Sequence, residues 1–165
     1  FAIASTRRHR LAERLMTDVL NMPIQRVHAE ATRWAHSLGR DVELATARLI
    51  GEPWVSPWGN PIPGLDELGI VGVPDPPAPT MLGTLPRTRE PVMAVVRLVS
   101  EDTQDDPQRI TELINAGVLP GTRVTIVAHQ RSYTVRGISP VELPAKLSHS
   151  IQVDIVAQAG ANSTA

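Results

Sequence analysis

The chain has 165 residues, of which 42% are hydrophobic and 20% are charged, and its formal net charge is −1. This length and composition suit one soluble domain or two small ones, and the balanced charge excludes the basic footprint of a nucleic-acid-binding or acidic-lipid-binding surface. There is no cysteine, which excludes disulfides and thiolate metal ligands, and no apolar run reaches the roughly 20 residues that a membrane-spanning helix needs.

The first residue is Phe1 rather than a methionine, and the apolar residues after it run directly into a basic cluster. A secretory signal places its basic residues before the apolar ones, so the order here is the wrong one for such a signal. We therefore expect the sequence to be part of a longer protein whose N-terminal region is not included.

Three helices are predicted in the first part of the chain. Residues 2–20 lack proline and glycine and favour a helix, which Pro23 ends while opening the next one. We expect Gly39 to close the second helix as a left-handed cap, and residues 41–50 to form the third. The second helix carries an apolar stripe at the helical period, made of Ile24, Val27, Ala31, Trp34 and Leu38.

The rest of the chain is predicted to be a loop, a linker and a small β domain. We expect two tryptophans to hold the loop at residues 54–72 against the helices, and the proline-rich residues 73–90 to act as a tether. A polyproline ligand for the chain's own barrel is the alternative, but Tyr133 alone would make a poor aromatic groove. The predicted elements of the small barrel are strands at residues 92–99, 121–127, 132–138 and 151–156, a helix from Pro107, and one helical turn at residues 144–149.

Histidine and carboxylate side chains recur at helical spacing in the first two helices. His9 and Glu13 are four residues apart, so both project from one side of a helix, and His28 lies on its antiparallel neighbour. These nitrogen and oxygen donors suit a first-row metal ion, although an ordinary hydrogen-bonded pair is the alternative on spacing alone. We expect His129 and His149 to be surface residues.

Three stretches taken together resemble the diphtheria toxin repressor and iron-dependent regulator family. They are Arg-His-Arg-Leu-Ala-Glu-Arg-Leu at residues 8–15, Val-His-Ala-Glu-Ala at residues 27–31, and Gly-Asn-Pro-Ile-Pro-Gly at residues 59–64. The resemblance extends to about residue 157 and implies a bacterial, cytoplasmic, metal-activated transcriptional repressor that is not an enzyme. Family members carry an N-terminal winged helix-turn-helix, which this sequence lacks, and their metal ion is typically Fe(II) or Mn(II), for which Co(II), Ni(II) or Zn(II) can substitute.

The resemblance implies an α+β chain of two small domains. Residues 1–72 would form a helical domain for metal binding and dimerisation, and residues 73–90 the linker. Residues 91–157 would form an SH3-like β-barrel, and residues 158–165 a disordered tail.

The resemblance also implies roles for individual residues. An ancillary metal site would consist of His9, Glu13, His28, Glu101 and Gln104, beside an anion held by Arg10, Ser56 and Asn60. The family's primary metal site falls on Thr32, Ala35 and His36, where only the histidine is retained, so we expect that site to be degraded. Trp34 would lie in a homodimer interface, with packing in the core of the monomer as the alternative.

Two other functions are consistent with the sequence. The chain could be a truncated partner that dimerises with a full-length repressor and opposes it without binding operator DNA. A metal-dependent hydrolase would need an open coordination position, and five protein ligands leave little room for one.

Overall fold

The computed structural model describes residues 2–51 and 53–156, and the chain divides into two compact units, Phe1–Pro77 and Ala78–Ala165. The predicted tail, residues 158–165, lies outside the described residues. Within the part that the structure describes, no helix combines the length and the apolar character needed to span a membrane.

The first unit is helical, as the sequence predicts. Its α-helices are α1 (Ala2–Asp18), α2 (Ile24–Trp34) and α3 (Arg40–Leu49), and two short 3-10 helices span Ala35–Ser37 and Leu65–Leu68. Pro23 immediately precedes α2 with φ −58°, a value that suits entry into a helix.

The end of α2 differs from the prediction. Gly39 has φ −74° and ψ 165°, an extended conformation, and it stands at the N-terminal cap of α3. Leu38 is also extended, so the chain leaves the 3-10 turn and enters α3 without a left-handed residue. The prediction of a left-handed glycine cap is therefore wrong, because two extended residues already redirect the chain.

Helix α1 contributes to two apolar clusters of the first unit. Leu11 belongs to one cluster with Ala47 of α3 and Leu65 of the second 3-10 helix. Ala12 and Met16 belong to the other, whose remaining members are Val27, Ala31 and Leu38. Burial on both sides makes α1 the central element of the unit.

The two tryptophans of the loop differ in burial. Trp58 is buried with 1% of its surface exposed, whereas Trp54 is 46% exposed. The burial of Trp58 supports the expectation that it holds the loop in place, whereas Trp54, with nearly half of its surface exposed, is a weaker anchor than expected.

The second unit is a six-stranded antiparallel sheet with the order β1-β6-β2-β3-β4-β5. Its strands are β1 (Thr80–Met81), β2 (Val92–Val99), β3 (Arg123–Ala128), β4 (Ser132–Arg136), β5 (Pro140–Pro144) and β6 (Ile151–Ile155), and its helices are α4 (Glu101–Gln104) and α5 (Pro107–Asn115). The sequence predicted every strand of five or more residues except β5, whose proline at each end argues against a strand but is tolerated at a sheet edge.

The sheet unit begins earlier than the predicted boundary at residue 91. Thr80 pairs with Val153 of β6, and Leu82 is completely buried. Arg87 places its guanidinium 5.0 Å from the centre of the Tyr133 ring and donates to the Tyr133 hydroxyl at 2.6 Å. The second half of the predicted linker is thus part of the sheet unit, because its scattered apolar residues fill the core.

Candidate metal site

Three side chains from α1 and α2 converge on one point. Glu13 Oε1 lies 3.0 Å from His9 Nε2 and 2.8 Å from His28 Nδ1, and the two ring nitrogens are 3.0 Å apart. These three residues form a cluster in which one ligand atom from each lies within 4.8 Å of the others. The structure therefore brings together the three residues that the sequence singled out in the helical unit.

The carboxylate is the most deeply buried member of this triad. Glu13 is 1% exposed, while the His9 and His28 side chains are 15% and 12% exposed. Burial, the largest effect, acts to raise the pKa of Glu13, but the hydrogen bonds from His28 and His9 and their electrostatic attraction together hold the pKa below its ordinary value. The site is thus built around an ionised carboxylate that faces two imidazoles.

The donor set and its spacing fit a divalent transition-metal ion. Imidazole and carboxylate ligands suit Fe(II), Mn(II), Co(II), Ni(II) and Zn(II). With metal–ligand distances of about 2.1 Å, neighbouring ligands around an octahedral ion are about 3.0 Å apart. The distances within the triad are close to this value, so the backbone needs little movement to present one face of an octahedron.

The three predicted anion-binding residues gather around one loop. Ser56 donates its backbone N–H to the Asn60 carbonyl at 2.8 Å, and its side-chain oxygen accepts from the Trp58 N–H at 3.2 Å. Arg10 of α1 donates to the carbonyl of Pro61, the next residue along the loop. Arg10, Ser56 and Asn60 are therefore near one another, with Ser56 and Asn60 buried.

The positions of the predicted second metal site carry few donors. Thr32 donates its hydroxyl to the His28 carbonyl at 3.0 Å, Ala35 is buried without a side-chain donor, and His36 is exposed on the 3-10 turn. Trp34, between these residues, is 48% exposed. Its packing in the core of the monomer, the alternative drawn from the sequence, is therefore wrong.

Glu101 and Gln104 both lie on α4 of the sheet unit. Gln104 is buried and donates its side-chain N–H to the Val99 carbonyl at 2.8 Å, whereas its Oε1 atom has no hydrogen-bond partner. This bond fixes which end of the amide is the oxygen. Glu101 is exposed.

A buried ion pair in the helical unit was not predicted. Arg7 and Glu43 are 4% and 0% exposed, and Arg7 Nε donates to Glu43 Oε1 at 2.9 Å. Arg7 precedes buried Leu11 by one helical turn, which was the only sign in the sequence that it faces the core.

Comparisons with known proteins show which family this chain resembles. A family profile described as "Iron dependent repressor, metal binding and dimerisation domain" matches residues 1–64. The iron-dependent repressor IdeR of Mycobacterium tuberculosis is 43% identical over 162 residues, which cover 94% of this chain and 69% of the relative. The diphtheria toxin repressor of Corynebacterium diphtheriae is 37% identical, over 93% of this chain and 68% of the relative.

Solved structures of metal-dependent repressors have a similar fold. A manganese-dependent transcriptional repressor in complex with manganese superposes with a TM-score of 0.74 at 27% identity, over 94% of this chain and 71% of that one. A second structure, of a manganese-dependent transcriptional repressor, gives a TM-score of 0.76 at 26% identity, over 94% and 82% of the two chains.

Proposed function

Because the chain belongs to the family of iron-dependent repressors that includes the diphtheria toxin repressors, we propose that it performs metal binding and dimerisation in an iron- or manganese-dependent transcriptional regulator. The observation that carries this proposal is the triad of His9, Glu13 and His28, whose ligand atoms lie 2.8–3.0 Å apart. Fe(II) or Mn(II) is the proposed physiological ion, with Co(II), Ni(II) and Zn(II) as substitutes.

His9 Nε2, Glu13 Oε1 and His28 Nδ1 are the proposed ligand atoms. A bound divalent ion would supply positive charge at the buried carboxylate and a cross-link between α1 and α2. His9 and His28 would bind the ion through these nitrogens in their unprotonated form, so binding would release any proton held there.

The resemblance assigns two further ligands, Glu101 and Gln104, and an anion site at Arg10, Ser56 and Asn60. The free Oε1 atom of Gln104 supports its assignment, because amide oxygens are the atoms that bind hard cations. The grouping of Arg10 with the loop that carries the other two anion-binding residues supports that assignment.

We propose that the second metal site of the family is degraded in this chain. Of its positions, Thr32 uses its hydroxyl within the helix and Ala35 offers no side-chain ligand. A single exposed imidazole, His36, would bind a divalent ion weakly. The expected stoichiometry is therefore one metal ion per chain.

The proposed assembly is a bacterial, cytoplasmic homodimer with Trp34 in the interface. Support comes from the dimerisation function in the description of the matching profile and from the 48% exposure of this large apolar side chain. Operator DNA is proposed to be contacted through the family's N-terminal winged helix-turn-helix, and the sheet unit is proposed to be the family's SH3-like domain.

Isothermal titration with Co(II) tests the metal site. The wild-type chain should bind one ion, His9→Ala should abolish that binding, and His129→Ala, which removes an imidazole of the other unit, should leave it unchanged. Equal binding by the wild type and His9→Ala would refute the assignment.

A further inference from the structure

A buried guanidinium joins α1 to two other parts of the helical unit. Arg7 Nε donates to Glu43 Oε1 of α3 at 2.9 Å, and Arg7 Nη1 donates to the Gly64 carbonyl and to Glu67 Oε2, each at 2.7 Å. Arg8 Nε lies 3.3 Å from the second oxygen of Glu43. Arg7 is thus held from two directions while only 4% of its surface is exposed.

The distances within the triad depend on the position of α1 along its own axis. His9 and Glu13 belong to α1 and His28 to α2, so axial movement of α1 changes two of the three distances at once. A shift by the rise of a single residue, about 1.5 Å, is far outside the roughly 0.2 Å within which metal–ligand distances normally fall.

Apolar contacts alone define this position weakly. The packing of Leu11, Ala12 and Met16 is non-directional, so burial favours contact between the helices more than it favours one axial register. A guanidinium imposes direction because its N–H groups form a rigid planar fork. Arg7 lies only two residues before His9 on the same helix, so fixing Arg7 also fixes His9.

The loop backbone closes tightly on this guanidinium. Gly64 has φ +65°, and a Cβ atom added there would lie 2.6 Å from Arg7 Nη1 and 2.7 Å from Ile3 Cγ2. A side chain at this position would push against α1 in its first two turns. Gly64 is therefore required both for its backbone conformation and for the close approach to Arg7.

We propose that Arg7 is a positioning residue for the metal site, setting the axial register of α1 through Glu43 and the Gly64 carbonyl so that His9 and Glu13 meet His28. The inference rests on the proposed metal-binding function. If Arg7 contributed only stability, its loss would lower the unfolding temperature without changing the metal affinity of the folded chain.

Two substitutions disturb the contact between Arg7 and the Gly64 loop, one on each side of it. Arg7→Lys keeps the charge and removes the fork, and Gly64→Ala displaces the guanidinium from the loop side. Gly69→Ala is the matched control. Gly64 and Gly69 cap the two ends of the same short 3-10 helix and both have a positive φ, but a Cβ at Gly69 (φ +80°) meets nothing within 4 Å. Co(II) affinity and the visible absorption spectrum of the Co(II) complex are measured well below the unfolding temperature of each variant.

Arg7→Lys and Gly64→Ala should each weaken Co(II) binding by about 10-fold, the lower end of the loss that follows removal of a group supporting metal ligands. Both should alter the Co(II) spectrum, and the double variant should lose less than the product of the two effects, since both act through one contact. Gly69→Ala should keep the wild-type affinity and spectrum, because a Cβ atom there meets nothing within 4 Å.

The outcomes separate this inference from the proposed function. Wild-type affinity and spectrum in both Arg7→Lys and Gly64→Ala, with His9→Ala still abolishing binding, would overturn the role of Arg7 alone. Equal weakening in Gly69→Ala would also overturn it, because backbone strain would then account for the effect. Absence of Co(II) binding by the wild type would overturn both proposals.

Discussion

His9 Nε2 and His28 Nδ1 face each other at 3.0 Å, although the two residues are 19 positions apart. Both nitrogens also lie within hydrogen-bonding distance of the same carboxylate atom, Glu13 Oε1. Each ring nitrogen carries at most one proton. When Glu13 is ionised, at most two protons are therefore available for hydrogen bonds among His9 Nε2, His28 Nδ1 and Glu13 Oε1. One imidazole thus approaches the buried carboxylate oxygen through Nε2 and the other through Nδ1. A metal ion could replace the protons between these three atoms.

The buried carboxylate predicts how the metal-free chain responds to acid. Because the folded state lowers the pKa of Glu13, the unfolded state binds more protons, and the stabilisation is present above the ordinary pKa and lost as pH falls below it. Urea unfolding at stepped pH from about 5 to about 3 should show a falling free energy of unfolding, and Glu13→Gln should flatten this dependence.

Tryptophan fluorescence isolates this effect, since all three tryptophans belong to the helical unit. Exposed Asp66, in the same helical unit, provides the control, and Asp66→Asn should keep the wild-type slope. An unchanged slope in Glu13→Gln would contradict the role of the triad carboxylate.

The proposed loss of the second metal site predicts a metal stoichiometry. His36→Ala should still bind one Co(II) ion with the affinity of the wild type, because none of the three proposed ligands is changed. His28→Ala should lose binding. Calorimetry that shows two ions per wild-type chain, or one fewer in His36→Ala, would demonstrate that the second site still functions.

The exposed tryptophans predict where the dimer forms. Trp34→Ala should shift sedimentation-equilibrium profiles toward the monomer, with the dimer dissociation constant rising by about 30-fold or more, as expected for a central interface tryptophan. Trp54→Ala is a matched control because Trp54 is 46% exposed, nearly the same as Trp34 at 48%. If Trp54→Ala dissociates the dimer and Trp34→Ala does not, the interface lies on the loop instead.

Substitutions at buried and exposed positions of the predicted linker should affect the stability of the sheet unit unequally. Leu82→Ala should lower the free energy of unfolding of the sheet unit by about 2–5 kcal/mol, as for other fully buried leucines. Val73→Ala, at an exposed site of the same segment, should change it by less than about 0.5 kcal/mol. Urea unfolding followed by circular dichroism measures both, and equal effects would mean that Leu82 is not part of the core.

Local patterns predicted much of the fold. Residues 92–99 form a strand as predicted because a β-branched run suits a buried strand wherever it lies in a sheet. Helix α5 begins at Pro107, directly after Asp106, whose side chain accepts from two backbone N–H groups. Strand β5 was missed because prolines disfavour a strand in general, while only the assembled sheet shows that it lies at an edge.

The candidate site, too, was determined partly by local sequence and partly by tertiary structure. The pairing of His9 with Glu13 was determined by sequence alone, since residues four apart on a helix are neighbours whatever the rest of the chain does. The addition of His28 and the ion pair of Arg7 with Glu43 were decided by tertiary structure, because residues 19 and 36 positions apart meet only after the helices pack. The exposure of Trp34 was also decided there, because an apolar stripe has the same period whether it faces the core or a partner.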